Sequence, residues 1–247
     1  MKTQAMIIHL ARATARRAQV AAMQEHLPLP AEVVDAVDGQ QLAELQKHAY
    51  QPRLSQPRYP FELRLSEIAV FHSHRRCWQR IVDQGLDAAL ILEDDLQFDA
   101  DIFPPALSLA LDHLRPGDFI RLPIKERGTP VEVNASNGPA RLLAYDRVGL
   151  GMQAQLVSRG AAEALLAASE QFDRPVDDFV QMQWLHGARV LTVWPSGVQE
   201  VSGDLGGSLN SRKTGGFEKL RREILRPIYR HRMARRAAQY LNASPQG

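Results

Sequence analysis

Three adjacent acids, Glu93, Asp94 and Asp95, follow an apolar run in the stretch ALILEDDLQF at 89–98. Three neighbouring carboxylates repel one another in a dry interior, so they need a cation, a hydrogen-bond network or water. Side chains alternate along an extended segment, which predicts Glu93 and Asp95 on one side and Asp94 on the other. Such a pair can hold a divalent cation that completes its shell with water and substrate phosphates. Alternatively, these acids cap a helix or pair with arginines.

A second acidic pair, Asp177 and Asp178, lies in the stretch RPVDDF at 174–179. A carboxylate within hydrogen-bond reach of a hydroxyl group can act as a general base. The alternative is structural, because Asp177 could cap the helix that is predicted to follow it. Taken alone, the residues favour the cap.

Candidate ligands for an anion or a nucleoside follow the first two predicted strands. Arg12 lies on the first turn, where its guanidinium could bind a phosphate group in a bidentate manner. Arg16 and Arg17 are predicted on a solvated helix face. Asp38 precedes Gly39, where a carboxylate can bond a ribose or a base, and a plain turn is the alternative.

Predicted strands and helices alternate along the chain, and this pattern favours an α/β fold with a mostly parallel central sheet. The strands are predicted at 5–10, 31–39, 87–98, 118–124, 141–147, 152–158 and 188–195, and the helices at 15–27, 65–86, 101–114 and 159–172. Ligands of such sheets bind beyond the carboxyl ends of the strands, which is where the three acids lie. Residues 1–201 are predicted as the catalytic domain, 202–216 as a flexible Gly/Ser-rich link, and 217–247 as a basic helical tail.

Charge is distributed unevenly between the body and the tail. Residues 217–247 carry eight Lys or Arg and two Glu, a net +6, whereas residues 1–216 carry 22 basic and 26 acidic residues, a net −4. The tail has an apolar stripe, which predicts an amphipathic helix on an anionic membrane surface. The stripe consists of Phe217, Leu220, Ile224, Leu225, Ile228, Tyr229 and Met233. The alternative is a solvated helix packed on the body. Nucleic acid is not expected as a partner, because no base-reading motif is present and the body is acidic.

A cytoplasmic location is expected, with a possible peripheral attachment to the cytoplasmic face of the inner membrane. The single cysteine, Cys77, allows no intrachain disulfide, which favours a reducing compartment. The apolar stretch near the N-terminus is too short for a signal peptide, and no apolar run approaches eighteen residues.

Four blocks of the sequence resemble glycosyltransferase family 25, which includes bacterial lipooligosaccharide galactosyltransferases. They are MIIHLARATARR at 6–17, VVDAVDGQQL at 33–42, residues 65–98 and residues 151–179. The third block is the most specific, with Glu-Ile-Ala, Ser-His and Trp landmarks before its Leu-Glu-Asp-Asp ending. His9 departs from the pattern, since the family usually has Asn there.

The resemblance implies a GT-A-type nucleotide-sugar-binding fold and transfer from a UDP-sugar to a saccharide hydroxyl with inversion at the anomeric carbon. A metal on the leaving diphosphate stabilises the charge that develops there. We therefore expect Glu93 and Asp95 to bind Mn²⁺ or Mg²⁺, with Asp94 in a supporting or ribose-binding position.

The resemblance also reverses the preference at the second acidic pair. It favours Asp177, or else Asp178, as the base that takes the acceptor proton. Glu67, Ser73 and His74 match family landmarks, which implies a role on the substrate side.

The resulting hypothesis is a metal-dependent inverting glycosyltransferase of lipopolysaccharide assembly, with galactose as the transferred sugar. A saccharide or lipid-linked oligosaccharide is the expected acceptor. Rival hypotheses are a nucleotidyltransferase, a non-catalytic sugar-nucleotide-binding protein, and an adaptor that works through the tail.

Overall fold

The computed structural model describes residues 1–203 and 216–243, with the backbone alone at 45, 216–220 and 242. Most of the predicted Gly/Ser-rich link, at 204–215, and the last four residues of the predicted tail, at 244–247, lie outside the described residues.

Ten strands and eight α-helices are described in these two ranges. The strands are β1 (Thr3–His9), β2 (Ala31–Asp35), β3 (Ala88–Glu93), β4 (Leu96–Phe98), β5 (Asp118–Arg121), β6 (Pro130–Asn137), β7 (Ala140–Tyr145), β8 (Ala154–Ser158), β9 (Arg189–Trp194) and β10 (Val198–Glu200). The helices are α1 (Arg17–His26), α2 (Glu44–Ala49), α3 (Leu65–Asp83), α4 (Phe103–Asp112), α5 (Arg159–Ala168), α6 (Val176–Val180), α7 (Gln183–His186) and α8 (Gly216–Ala243).

Eight of the strands form one sheet in the order β2-β1-β3-β8-β5-β9-β7-β6, and β4 pairs with β10 in a small second sheet. The pairings make β7 and β8 run against the other six strands of the large sheet. The predicted α/β class with a mostly parallel central sheet and a C-terminal helix is therefore confirmed.

Helices cover both faces of the sheet, because alternate residues of its central strands enter two different hydrophobic clusters. Met6 and Ile8 of β1 pack with α3 and α5, whereas Ala5 and Ile7 pack with α1 and α4. Strand β3 is apolar from Ala88 to Leu92, as expected for a strand buried on both faces. This packing fixes the position of the acids that follow β3.

Helix α8 packs against the body through Tyr229 and Met233, which are 5% and 2% exposed and contact Met182. Both belong to the apolar stripe that the sequence predicts on a membrane surface. That assignment was wrong for these two residues because they face the protein, whereas Ile224 and Ile228 are exposed. Pro227 does not break the helix. Among the described residues, no helix is long and apolar enough to cross a bilayer.

Candidate active site

The carboxyl ends of β1, β2 and β3 lie side by side at one edge of the sheet. Ile8 is in register with Glu93, and His9 is in register with Asp35. The residues that follow these strands are therefore brought to a common edge, as predicted for the parallel part of the sheet.

The acids after β3 form a buried ion-pair cluster. The Oδ2 atom of Asp94 lies 2.7 Å from His9 Nδ1, and its Oδ1 atom lies 2.5 Å from Arg16 Nη1. The same Arg16 nitrogen lies 3.1 Å from Asp95 Oδ2. The alternation predicted for Asp94 and Asp95 was wrong, because β3 ends at Glu93 and the two aspartates occupy a turn in which both reach one guanidinium.

Arg16 is the main correction to the predicted roles. It was predicted on a solvated helix face, but it is 9% exposed, and it lies at the end of the short 3-10 turn at Thr14–Arg16, where it pairs with Asp94 and Asp95. Arg17 is exposed, as predicted. The pairing of the acids with an arginine, one of the alternatives for this cluster, is thus observed.

Repulsion between the acids persists despite Arg16. Burial raises the pKa of Glu93 to about 8, with further contributions from Asp95 and Asp94. Burial also raises the pKa of Asp95, and Arg16 only partly opposes this effect. At neutral pH the cluster therefore retains a proton unless another cation is present.

Two buried atoms of this cluster have no hydrogen-bond partner, namely Asp95 Oδ1 and His9 Nε2. Within 1–203 and 216–243, no group of three or more His, Cys, Asp or Glu side chains is arranged to hold a metal ion. The Glu93 carboxylate and the unpartnered Asp95 Oδ1 fit a magnesium or manganese ion with two protein ligands. Such ions often take their other ligands from water and from a substrate diphosphate.

Arg12 and Asp38, predicted to contact the sugar nucleotide, form a pair with each other. Arg12 donates from Nε to Asp38 Oδ2 at 2.7 Å and from Nη2 to Oδ1 at 3.3 Å. The hydrogen bond from Arg12 lowers the pKa of Asp38, which also accepts the Gln40 N–H at 2.9 Å. Arg12 is 46% exposed in its side chain, so a phosphate group can still reach it.

Glu67, Ser73 and His74 make contacts that support the fold. Glu67 accepts the Arg64 N–H at 2.7 Å and so caps α3, and Ser73 accepts the N–H of Val37 at 2.8 Å beside the Asp38 turn. His74 is 1% exposed, and burial lowers its pKa to about 3, so the ring stays neutral. Their role on the substrate side stays a prediction.

Asp177 lies in the first turn of α6, but it is not the cap. The cap position is Pro175, and Asp177 instead accepts the N–H groups of Asp178 at 2.9 Å and Gly151 at 3.2 Å. Gly151 has a φ of 110°, a left-handed conformation that favours glycine and turns this N–H toward the carboxylate. The alternative that Asp177 is a simple cap is therefore wrong.

Burial raises the pKa of both aspartates. For Asp177 the two backbone N–H groups and the nearby Arg121 guanidinium oppose the increase. The pKa of Asp178 rises to about 7 because of burial and the neighbouring Asp177, and the hydrogen bond from Tyr229 opposes it. Two carboxylates that differ in environment are a common arrangement in acid–base catalysis.

Two buried arginines that the sequence did not single out organise this pair. Arg121 donates from Nη2 to the carbonyl groups of Leu150 and Gly151, at 2.9 Å each. Arg174 is fully buried and donates to Asp173 at 2.7 Å, to the Tyr229 hydroxyl at 3.2 Å and to the Pro57 carbonyl at 3.0 Å. Arg174 directly precedes the PVDDF run, and this adjacency was the available signal.

Two cavities open beside the aspartates and share the side chains of Arg127 and Leu150. The larger, of about 280 Å³, is lined by Pro123, Ile124, Lys125, Arg127, Leu150, Gly151, Gln153 and Asp177. The smaller, of about 130 Å³, is lined by Arg127, Gly128, Arg147, Val148, Gly149, Leu150, Asp178, Gln181, Tyr229, Arg230 and Met233. The main-chain carbonyl of Gln153, a lining residue of the larger cavity, accepts the Glu93 N–H at 2.8 Å.

The fold and this site define an α/β protein with an acidic strand end and a half-buried aspartate that lines a cavity. Residues 2–180 match the family model described as glycosyltransferase family 25 (LPS biosynthesis protein). The chain belongs to glycosyltransferase family 25, and the predicted resemblance is confirmed.

The similarity to individual proteins covers only part of the chain. The chain is 31% identical to the mouse (Mus musculus) "Inactive glycosyltransferase 25 family member 3" over 189 residues, which cover 72% of this chain and 31% of that protein. It is 33% identical to "Procollagen galactosyltransferase 1" of Danio rerio over 97 residues, 38% of this chain and 16% of that protein. This chain thus spans no more than about a third of these curated relatives.

Among solved structures, the chain is similar to mannose-1-phosphate geranyltransferase from Thermus thermophilus. The TM-score is 0.40 at 13% identity, over 78% of this chain and 74% of that one.

Proposed function

We propose that this chain is an inverting glycosyltransferase that moves a hexose, galactose in the first instance, from a UDP-sugar to a saccharide acceptor in lipopolysaccharide or lipooligosaccharide assembly. The observation that carries the proposal is that Asp177, which lines the larger cavity, lies close enough to the acid cluster to act electrostatically on Glu93. Gln153 also lines this cavity, and its main-chain carbonyl accepts the Glu93 N–H at 2.8 Å. Asp177 is also among the carboxylates that raise the pKa of Glu93.

The acid cluster is assigned to the leaving diphosphate. A divalent cation held by Glu93 and the unpartnered Asp95 Oδ1 would neutralise charge on the diphosphate. Arg16 and His9 hold Asp94 in place and keep the turn rigid. Arg12, paired with Asp38 at the same edge, supplies an exposed guanidinium that can reach a phosphate oxygen.

Asp177 is assigned to the acceptor hydroxyl. Its two backbone N–H partners orient the carboxylate, and burial raises its pKa, which favours proton uptake. The acceptor oxygen attacks the anomeric carbon as its proton passes to Asp177. The bond from that carbon to the diphosphate oxygen breaks with its electron pair, and UDP leaves. One displacement gives inversion.

Support for galactose comes from the name of the zebrafish relative, procollagen galactosyltransferase. A second candidate is a sugar-nucleotide-binding protein without transferase activity. The names of the mouse and rat relatives, which call them inactive or probably inactive, favour it. Asp177 and the acid cluster favour catalysis instead.

The proposal is tested by UDP release from a panel of UDP-sugars, with and without Mn²⁺, using the full chain and two variants. We expect release with one UDP-hexose to need Mn²⁺ and to fall by orders of magnitude in Asp95→Asn. Asp101→Asn is the matched control because Asp101 is exposed. UDP-sugar binding without turnover at any metal concentration would favour the non-catalytic alternative, and full activity in Asp95→Asn or in excess chelator would remove the metal assignment.

A further inference from the structure

Three arginines from three separate parts of the chain line the smaller cavity beside Asp178. Arg127 follows β5, Arg147 follows β7, and Arg230 lies on α8. The cavity has about 130 Å³, roughly ten times the space that one water molecule needs. This is enough for a phosphate or carboxylate group with some of its water.

The positive charge of this cavity is poorly balanced. In the ranges 1–203 and 216–243, no ion pair within 4.0 Å joins Arg127, Arg147 or Arg230 to a carboxylate. The carboxyl group in the lining is that of Asp178, and its raised pKa leaves it only partly ionised near neutral pH. The three arginines are exposed, and the lining of the cavity carries a net positive charge, which favours an oxyanion.

The position of the cavity indicates which substrate would carry that anion. None of Glu93, Asp94 and Asp95 lines it, so it is separate from the cluster assigned to the donor diphosphate. It shares Arg127 and Leu150 with the larger cavity, where Asp177 is placed to take the acceptor proton. A molecule with its hydroxyl near Asp177 can thus reach the arginines with a second group.

We propose that the smaller cavity is an acceptor subsite for a phosphate or carboxylate group carried by the saccharide, bound between Arg127, Arg147 and Arg230. The acceptor class is then an anionic saccharide, either a sugar phosphate or a uronic acid. The inference rests on the proposed function, since it assigns the acceptor of that reaction. It also gives α8 a substrate-binding role through Arg230.

The test is a binding titration of the full chain saturated with UDP, so that the donor diphosphate position is filled. The probes are glucose, glucose 6-phosphate, glucuronate and inorganic phosphate. We expect at least one of the two anionic sugars to bind about tenfold more tightly than glucose, and more tightly than inorganic phosphate. Arg147→Gln and Arg230→Gln should each remove most of this preference and leave UDP affinity unchanged.

Arg232→Gln is the matched control, because Arg232 is exposed on the same helix and does not line the cavity. If Arg147→Gln folds poorly by melting temperature, Arg230→Gln and Arg230→Lys still test the subsite. Arg230→Lys keeps the charge but loses the bidentate donor, so it should retain part of the preference.

Several outcomes would overturn the subsite: no preference for either anionic sugar, equal loss in Arg232→Gln, or inorganic phosphate binding as tightly as glucose 6-phosphate. UDP release with neutral saccharides alone would also overturn it while leaving the proposed function intact. An arginine-dependent preference for anionic sugars without any UDP release would support the subsite and count against the transferase.

Discussion

Asp94, in the acid cluster, and Asp177, which lines the larger cavity, are surrounded differently by the chain. Asp94 is held by two side chains that can carry positive charge, His9 and Arg16. Asp177 is held by two backbone N–H groups, with Arg121 nearby. Two side chains hold the first carboxylate in a turn, whereas main-chain donors orient the second and burial raises the pKa of Asp177. The first arrangement suits a structural role in that turn, and the second suits a group that accepts a proton.

The largest expected effect is on the rate of transfer in Asp177→Asn. Loss of a general base should slow transfer by about 10²- to 10⁴-fold, while UDP affinity and melting temperature stay near normal. Transfer rate, UDP affinity and melting temperature are measured together for Asp177→Asn and Asp178→Asn.

We expect Asp178→Asn to be the milder of these two variants. Asp178 lines the smaller cavity, which contains the three arginines, and does not line the larger one. If both variants keep wild-type rates, the base lies elsewhere and the contrast between Asp94 and Asp177 is structural only. A collapse in Asp178→Asn alone would exchange the two roles.

The next largest effect is on stability, in Arg16→Gln. Removing one partner of a buried ion pair leaves Asp94 without its guanidinium, which typically costs about 3–5 kcal/mol in the free energy of unfolding. Arg17→Gln is the control, and its change should stay within about 0.5 kcal/mol because Arg17 is exposed. Equal denaturant midpoints for the two variants would show that the ion-pair cluster does not hold the sheet edge together.

A smaller effect is expected in the pH dependence of stability. The pKa of Asp178 rises from 3.8 to about 7 on folding, so the folded state binds more protons than the unfolded state between those values. Its contribution to the free energy of unfolding therefore falls as pH rises from about 4 to about 7. Asp178→Asn cannot ionise, so its melting temperature relative to wild type should rise by about 2 °C or more across this window. If the difference in melting temperature between the variant and wild type stayed constant from pH 4 to pH 7, the raised pKa of Asp178 would be refuted.

The smallest expected effect concerns the predicted anionic membrane surface. Ile224 and Ile228 are exposed on α8, so Ile224→Gln with Ile228→Gln should weaken binding to anionic vesicles about fivefold, roughly 1 kcal/mol. The matched control is Val131→Gln with Val133→Gln, which alters exposed apolar residues on β6. Point substitutions are preferable to truncation because α8 also supplies Tyr229. If the α8 double variant bound vesicles as well as wild type, the proposed membrane contact of α8 would be refuted, and its packing against the body would be its remaining role.

The elements that carry a strong hydrophobic pattern could be predicted from sequence. Strand β3 reads as an unbroken apolar run, and α3 has apolar residues at helical spacing, so both were placed within a few residues. Strand β6 was missed because it lies at the edge of the sheet, where Val131 and Val133 are exposed and no burial pattern marks the strand. An alternation of apolar residues indicates a strand that is buried on one face. An exposed edge strand shows little of this alternation.

For the candidate site too, sequence patterns could predict some residues and not others. The acids and the Asp177–Asp178 pair stand next to each other in sequence, so their chemistry could be recognised. The partners could not, because Arg16 reaches Asp94 across 78 residues and Tyr229 reaches Arg174 across 55. Such pairings depend on how strands are ordered in the sheet, which local patterns do not encode.

The buried hydrogen bond between Arg174 and Tyr229 has a consequence for biosynthesis. Tyr229 follows Arg174 by 55 residues, and translation proceeds at about 5–20 residues per second, so Arg174 leaves the peptidyl-transferase centre roughly 3–11 s before its hydroxyl partner. Later in that interval, once Trp194 has been added, the nascent chain contains the eight strands of the central sheet, but the smaller cavity still lacks the wall that α8 provides. Completion of the smaller cavity therefore waits for the synthesis of α8, and a chain stalled on the ribosome between β9 and α8 should contain the acid cluster before that cavity is complete.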